Sequence, residues 1–137
     1  ISNFARKGYR SRHNASYWQG IPYLGLGPSA HSYDGNSRQW NISNLKKYMD
    51  AIENKTIPME RETLDEDTKY NDWITTALRT KEGLNLALLS DAHRNYLLQA
   101  AQPHINQGNL VLIDNHIALS RAGIFISDNI MSDLIKV

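Results

Sequence analysis

The chain contains no cysteine among its 137 residues, and this absence removes several kinds of chemistry at once. Without thiols there is no disulfide, no cysteine nucleophile and no cysteine-ligated iron–sulfur cluster within these residues. An excess of one charge is also absent, because 15 basic and 14 acidic residues leave a formal net charge of +1. With no long run of one sign, the sequence indicates neither a nucleic-acid footprint nor a membrane-surface patch.

Long apolar runs are absent too. No segment approaches the roughly 18 consecutive apolar residues that a transmembrane helix requires. We therefore expect no integral membrane segment, and we expect a cytoplasmic location. Residues 1–5 have no initiator methionine and none of the basic and apolar regions of a signal peptide. They are typical of the inside of a strand, so we expect the chain to be a piece of a longer protein.

The composition changes near residue 42. Residues 1–42 contain five of the eight glycines and several turn signals, of which Asp34-Gly35 is one. Residues 38–42 could form the return strand after that turn. Because helical periodicity is weak here, this part predicts strands and loops that need a larger partner.

From residue 43 onward the pattern becomes helical. Ser43 is a candidate N-cap for a helix whose apolar face begins at Leu45. Thr63 and Glu66 have the spacing of a capping box before a second helix, and its apolar stripe would comprise Tyr70, Trp73, Ile74, Ala77 and Leu78. Residues 110–119 predict a β-hairpin around Asp114-Asn115, and Ser120 is a candidate cap for the last helix. A short helix from Asn85 and a second helical run that stops at Gly108 would precede the hairpin, and Pro103 should kink or shorten that run. Helix, helix, hairpin, helix is a winged-helix-like order.

The densest group of chemically useful side chains lies in residues 11–18. Its members are Arg12, His13, Asn14, Tyr17 and Trp18. An imidazole can ligate haem iron or another metal, an arginine can clamp a carboxylate, and the two aromatic rings can support a macrocycle. The alternative is a surface loop whose aromatic residues pack on the rest of the protein.

A second candidate group consists of Gly25, Gly27 and His31. Glycines at these positions would let a backbone approach a ligand closely, and His31 could face the same space. The segment lacks the complete fingerprint of a dinucleotide site. The alternative is a tightly packed strand end. His93, His104 and His116 lie far apart with no paired spacing, so they predict no metal site.

These segments together resemble the radical-SAM family of oxygen-independent coproporphyrinogen III oxidases, and within it the haem-chaperone (HemW-type) branch. The resemblance is specific over residues 1–42 and looser beyond them. Residues 13–18, with the pattern His-Asn-x-x-Tyr-Trp, favour the chaperone branch. The matching runs are Ile1-Ser2-Asn3-Phe4-Ala5, Ser11-Arg12-His13-Asn14, Tyr17-Trp18, Tyr23-Leu24-Gly25-Leu26-Gly27, Ala30-His31-Ser32, Lys81-Glu82-Gly83-Leu84 and Leu119-Ser120-x-x-Gly123.

The resemblance implies an α+β fold in two parts. Residues 1–42 would be the last strands of a partial (β/α) barrel, and residues 43–137 a mainly helical, winged-helix-like C-terminal domain with one β-hairpin. The family holds a [4Fe–4S] cluster on a CxxxCxxC motif and uses S-adenosylmethionine. Because this chain has no cysteine, the cluster would have to lie in a missing N-terminal barrel, and the fragment alone should be inactive.

The function implied by the resemblance is haem handling, with transfer of haem to a respiratory protein. His13 would then be the iron ligand, Arg12 a propionate partner, and Asn14, Tyr17, Trp18, Gly25, Gly27 and His31 further contacts of haem or porphyrin. Two alternatives stay open. One is oxidative decarboxylation of coproporphyrinogen III, and the other is a non-enzymatic winged-helix module that binds another protein. Nucleic acid is disfavoured, because residues 94–105, before the hairpin, offer only Arg94 and His104 as basic groups.

Overall fold

The computed structural model describes residues 4–137, and most of the strand predicted over residues 1–5 lies outside this part of the chain. The described residues form a mixed structure of helices and two small antiparallel sheets, which confirms the predicted α+β class. Across the described residues, no helix combines the length and the apolar character needed to cross a lipid bilayer.

The described chain divides into two compact units. One unit comprises residues 20–65, and the other comprises residues 4–19 together with 66–137. The division into 1–42 and 43–137 refers to the barrel of a longer protein and stays a prediction.

The unit of residues 20–65 contains three strands and one helix. The strands form an antiparallel sheet in the order β1-β2-β3. Strand β2 confirms the return strand predicted after the Asp34-Gly35 turn. In that turn, Asp34 Oδ1 accepts hydrogen bonds from the backbone N–H groups of Asn36 at 2.9 Å and Ser37 at 2.7 Å. The elements are β1 (His31–Tyr33), β2 (Ser37–Asn41), α2 (Leu45–Glu53) and β3 (Met59–Thr63).

Helix α2 is confirmed, but its apolar face is not part of a core. Asn44 caps the helix in place of Ser43, because its side chain accepts a hydrogen bond from Lys47 N at 2.9 Å. The stripe that begins at Leu45 remains exposed, with Leu45 at 62%, Met49 at 52% and Ile52 at 45%. The sequence pattern therefore predicted the helix correctly without identifying a buried partner.

The other unit carries the hydrophobic core. Its elements are α1 (Arg12–Trp18), α3 (Glu66–Ala77), β4 (Leu84–Asn85), a 3₁₀ turn (Leu86–Leu88), α4 (Asp91–Asn106), β5 (Leu110–Ile113), β6 (His116–Leu119), α5 (Arg121–Phe125) and α6 (Ser127–Leu134). The fully buried side chains Ile74, Leu97, Ile117 and Ile130 come from α3, α4, β6 and α6. The core thus joins three helices to the sheet of order β4-β6-β5.

The start of α3 differs from the prediction. Thr63 is the last residue of β3, and the helix begins only at Glu66, so the Thr63–Glu66 capping box is wrong. The predicted stripe is nevertheless confirmed, since Tyr70, Ile74 and Ala77 are buried. Helix α4 runs through Pro103 to Asn106, so the shortening expected at Pro103 does not occur.

The predicted hairpin is confirmed as β5 and β6, with Leu110 opposite Leu119. Its two turn residues, Asp114 and Asn115, adopt φ values of 49° and 62°. Asparagine and aspartate tolerate this left-handed region better than most residues, which explains the turn. Ser120 is a helix cap, because its Oγ accepts a hydrogen bond from Gly123 N at 3.1 Å. The helix that it caps is the short α5, since the single last helix that the sequence predicted is divided into α5 and α6.

Candidate functional site

The segment around His13 forms a helix, and the expectation of strands and loops there is wrong. Residues Arg12–Trp18 make up α1. Ser11 caps the helix through a hydrogen bond that its Oγ accepts from Asn14 N at 3.2 Å. A serine cap can start a short helix without an apolar period, which is why periodicity did not reveal it.

Helix α1 presents its candidate residues on two different faces. The rings of His13 and Tyr17 meet edge to face, with centroids 5.0 Å apart and an interplanar angle of 89°. Asn14 and Trp18 instead line a groove, to which neither His13 nor Tyr17 contributes. Each pair has i, i+4 spacing, which places its two members on one side of a helix. The structure therefore separates His13 from Trp18, although they are five positions apart in sequence.

Trp18 also contacts a cation from the main body of its unit. The guanidinium carbon of Arg79 lies 5.6 Å from the centroid of the Trp18 ring, which is within the range of a cation–π interaction. Nearby, Arg10 Nη1 lies 2.9 Å from Glu82 Oε1. The hydrogen bond from Arg10 lowers the pKa of the Glu82 carboxyl group. These two contacts hold residues 4–19 against the rest of the unit.

The groove beside α1 has a volume of about 920 Å³. It combines aromatic, aliphatic and basic side chains, among them Trp18, Trp73, Arg79, His116, Leu119 and Ile124. Pockets for small ligands typically enclose about 300–1,000 Å³ and mix an apolar surface with a few polar groups. The groove therefore has the size and composition of a ligand site.

His116 is a functional candidate that sequence reasoning missed. It begins β6 directly after the hairpin turn, and its Nδ1 lies 2.9 Å from the carbonyl oxygen of Asp114. Because a carbonyl oxygen only accepts hydrogen bonds, Nδ1 carries the proton and the lone pair of the neutral ring lies on Nε2. No neighbouring histidine marked this residue in the sequence. Only the fold brings it beside the tryptophans.

Gly25 and Gly27 lie in the unit of residues 20–65. A Cβ atom built on Gly25 would lie 2.1 Å from the carbonyl oxygen of His31. Gly27 has a φ of 103°, a region that favours glycine. The group that approaches Gly25 is thus the backbone of His31, as the alternative of a tightly packed strand end predicts. A role for these glycines in cofactor binding stays a prediction.

The side chain of His31 lies beside Trp40. Their ring centroids are 6.1 Å apart with an interplanar angle of 33°, and both residues line a pocket of about 350 Å³ with Glu60. The indole N–H of Trp40 donates a hydrogen bond to Glu60 Oε2 at 3.1 Å. This pocket is smaller than the groove beside α1 and is lined by fewer residues, so it offers a ligand less contact surface.

Two other histidines make structural contacts. His93 Nε2 lies 2.8 Å from Asp67 Oδ1, and the His93 ring stacks on Tyr70 at 4.8 Å. His104 Nε2 lies 2.9 Å from Asp133 Oδ2. Within residues 4–137, no three side chains of histidine, cysteine, aspartate or glutamate are grouped so that they could hold a metal ion.

Comparison with curated proteins finds relatives over almost the whole chain. The chain is 30% identical over 136 residues to "Heme chaperone HemW" of Mycobacterium tuberculosis, which covers 98% of the chain and 34% of that protein. It is 45% identical over 58 residues to the Bacillus subtilis protein of the same name, covering 42% of the chain and 15% of that protein. The mouse "Radical S-adenosyl methionine domain-containing protein 1, mitochondrial" is 44% identical over 52 residues, covering 34% of the chain and 12% of that protein. No family model matches the chain.

A solved structure shares the fold. The radical-SAM enzyme coproporphyrinogen III oxidase (HemN) from Escherichia coli matches 92% of the chain and 34% of its own length, with a TM-score of 0.64 and 17% identity. At this identity the match concerns the fold alone. The chain thus spans about a third of the length of the mycobacterial relative and of the solved enzyme.

Proposed function

Because the chain is a HemW-like member of the radical-SAM family related to coproporphyrinogen III oxidase, we propose that the protein binds haem and delivers it to a respiratory protein. The observation that carries this proposal is the element His13-Asn14-x-x-Tyr17-Trp18, folded as a capped helix with an exposed imidazole. An exposed histidine can reach the iron of a haem that the protein takes up and releases.

The side chains of α1 suit this role. The edge of one ring meets the face of the other in the His13–Tyr17 pair, and this contact restrains the imidazole. Arg12 precedes His13 and would pair with a haem propionate, because guanidinium and carboxylate bind through paired hydrogen bonds. Asn14 and Trp18 extend the surface on the neighbouring face of α1. Cofactor binding by Gly25, Gly27 and His31, in the unit of residues 20–65, is a separate part of the proposal.

The radical-SAM cofactors belong to other parts of the protein in this proposal. A [4Fe–4S] cluster needs cysteine ligands, and the chain has none, so the residues present do not fit that cluster. We place the cluster and S-adenosylmethionine in an N-terminal barrel, with residues 1–42 as its last strands. Residues 43–137 would be a winged-helix-like C-terminal domain that is inactive by itself. Both assignments, and the cytoplasmic location, are part of the proposal.

Haem titration followed by absorbance tests the proposal. His13→Gln should raise the dissociation constant of haem by about tenfold or more. Loss of a group that merely supports a metal ligand already weakens metal binding by about 10–100-fold. The matched control is His104→Gln, because His104 is engaged with Asp133 and its replacement keeps a hydrogen-bond donor there. If His13→Gln binds haem as tightly as the parent protein with an unchanged spectrum, the ligand assignment is wrong.

A further inference from the structure

We propose that the groove on the Trp18 face of α1 is a second binding site, which takes a porphyrin bearing two carboxylates and contacts its central metal through His116 Nε2. The choice of a porphyrin as ligand depends on the proposed function. The site is distinct from that of the His13 imidazole, because neither His13 nor Tyr17 lines the groove, although Asn14 and Trp18 of the proposed haem surface do.

The groove has the dimensions and surfaces that a flat macrocycle requires. Its volume of about 920 Å³ is at the upper end of the range typical of small-molecule pockets. Two indole rings, Trp18 and Trp73, offer flat apolar surfaces, and Leu119 and Ile124 add aliphatic contacts. Aromatic rings stack in offset or edge-to-face arrangements, both of which a porphyrin can satisfy.

The charges of the groove complement an anionic ligand. Its lining contains the cations Arg10, Arg79 and Lys81 and the single carboxylate of Glu82. Arg10 is paired with Glu82, which leaves Arg79 and Lys81 as the excess of positive charge. Arg79 already lies over the Trp18 ring, 5.6 Å from its centroid, so its guanidinium is held against the face of an aromatic ring. A planar dicarboxylate would place a carboxylate on this guanidinium and its ring on apolar surface elsewhere in the groove, such as the Trp73 indole.

His116 has the arrangement that a metal-binding imidazole usually shows. Metal-ligating histidines commonly donate the N–H of their second ring nitrogen to a carbonyl or carboxylate oxygen, which fixes the tautomer and raises the basicity of the ligating nitrogen. His116 makes this contact through Nδ1 to the carbonyl oxygen of Asp114. The turn residues Asp114 and Asn115 are held by the hairpin and by a hydrogen bond from Leu86 N to Asn115 O at 3.0 Å. The imidazole is therefore positioned by a rigid element.

The experiment isolates the groove by working in a His13→Gln background. The probes are iron protoporphyrin IX, metal-free protoporphyrin IX and the metal-free dimethyl ester. Adding His116→Gln should weaken binding of the iron form by about tenfold or more and leave the metal-free form unchanged. An equal loss for both forms would overturn the role of His116 as a metal contact.

Arg79→Glu tests the same groove without touching the histidine. It should weaken binding of both free carboxylic acid forms and leave the dimethyl ester unaffected, while Arg121→Glu on the exposed side of α5 should change none of them. Far-ultraviolet circular dichroism establishes that each variant folds. If the Arg79 and His116 variants all bind like their background, the groove site is wrong. If His13→Gln in the parent protein does not weaken haem binding, while the groove variants behave as expected, the haem site on α1 is wrong and the groove site is supported.

Discussion

The side-chain amide of Asn71 binds the backbone of Lys136 in both directions. Asn71 Oδ1 accepts a hydrogen bond from Lys136 N at 2.7 Å, and Asn71 Nδ2 donates one to Lys136 O at 2.8 Å. The hydroxyl of Tyr70 donates to Leu134 O at 2.8 Å, and that of Tyr96 donates to Ile135 O at 2.9 Å. Side chains of α3 and α4 thus form hydrogen bonds with the backbone of three successive residues, 134–136, at the end of α6, in place of a neighbouring strand.

Replacing Asn71 with alanine should destabilise the unit that contains it. The change removes two hydrogen bonds, each worth about 0.5–1.5 kcal/mol, so the free energy of unfolding should fall by about 1–3 kcal/mol. Urea denaturation followed by circular dichroism measures this fall. Asn95→Ala, on the exposed side of α4, is the matched control and should change the free energy of unfolding little. Equal effects of the two changes would show that the reciprocal pair contributes nothing specific.

Gly123→Ala should also destabilise this unit. A Cβ atom at position 123 would lie 2.0 Å from the carbonyl oxygen of Asn109, and that oxygen belongs to the backbone and cannot easily move. Overpacking of this kind costs about 1–3 kcal/mol. Thermal unfolding should show the loss, whereas Ala122→Ser at the exposed neighbouring position should unfold close to the parent. An unchanged melting temperature for Gly123→Ala would contradict the close approach.

Stability of the unit of residues 20–65 should decrease in acid. The backbone N–H of Asn36, and then the hydroxyl and N–H of Ser37, lower the pKa of Asp34 from 3.8 to about 2. Because the folded pKa lies below the ordinary value, ionised Asp34 stabilises the fold above pH 3.8, and this contribution disappears as the pH falls toward 2. NMR titration of the Asp34 carboxyl carbon should give a midpoint near 2. A midpoint at the ordinary value would mean that these hydrogen bonds do not form.

The apolar stripe of α2 should tolerate truncation. Leu45 is 62% exposed, whereas Ile74 of α3 is completely buried. Ile74→Ala should therefore reduce the free energy of unfolding by about 2–5 kcal/mol, because it removes buried contacts and leaves a cavity. Leu45→Ala should reduce it by less than about 1 kcal/mol. Denaturant titration of the two variants in parallel decides the point, and a comparable loss for both would place the stripe in a core.

The predictability of the fold depended on whether an element carries its own local signal. The hairpin was predictable because Asp114 and Asn115 suit the left-handed backbone of its turn. Helix α3 was predictable because Tyr70, Ile74 and Ala77 recur on one buried face. Strand β3 was missed because all five of its residues are exposed, and its conformation follows from pairing with β2. No local pattern announces such a strand.

The candidate site was predictable only in part, for a related reason. The side chains of residues 12–18 drew attention by their chemistry, but their division between two faces depends on the helical twist of α1, which the sequence pattern did not reveal. His116 was set aside because it has no paired histidine in the sequence, whereas its value depends on its contact with Asp114 and on the groove that it lines together with the tryptophans. Gly83 and Gly123, in the looser part of the resemblance, are glycines for a clearer structural reason. A Cβ atom would lie 2.2 Å from a backbone oxygen at position 83 and 2.0 Å from one at position 123.

Helix α1 belongs to the same unit as α3, although the whole of residues 20–65 separates them along the chain. None of its residues is buried, and it is held chiefly by surface contacts such as Arg10–Glu82 and Trp18–Arg79. Because α1 buries so little surface, we expect it to be the part of this unit that detaches most readily. A ligand that occupies the groove would bridge α1 to the core and keep it attached. Ligand binding should therefore slow proteolytic cleavage near Arg10 and Arg12, so that resistance to trypsin reports occupancy of the groove.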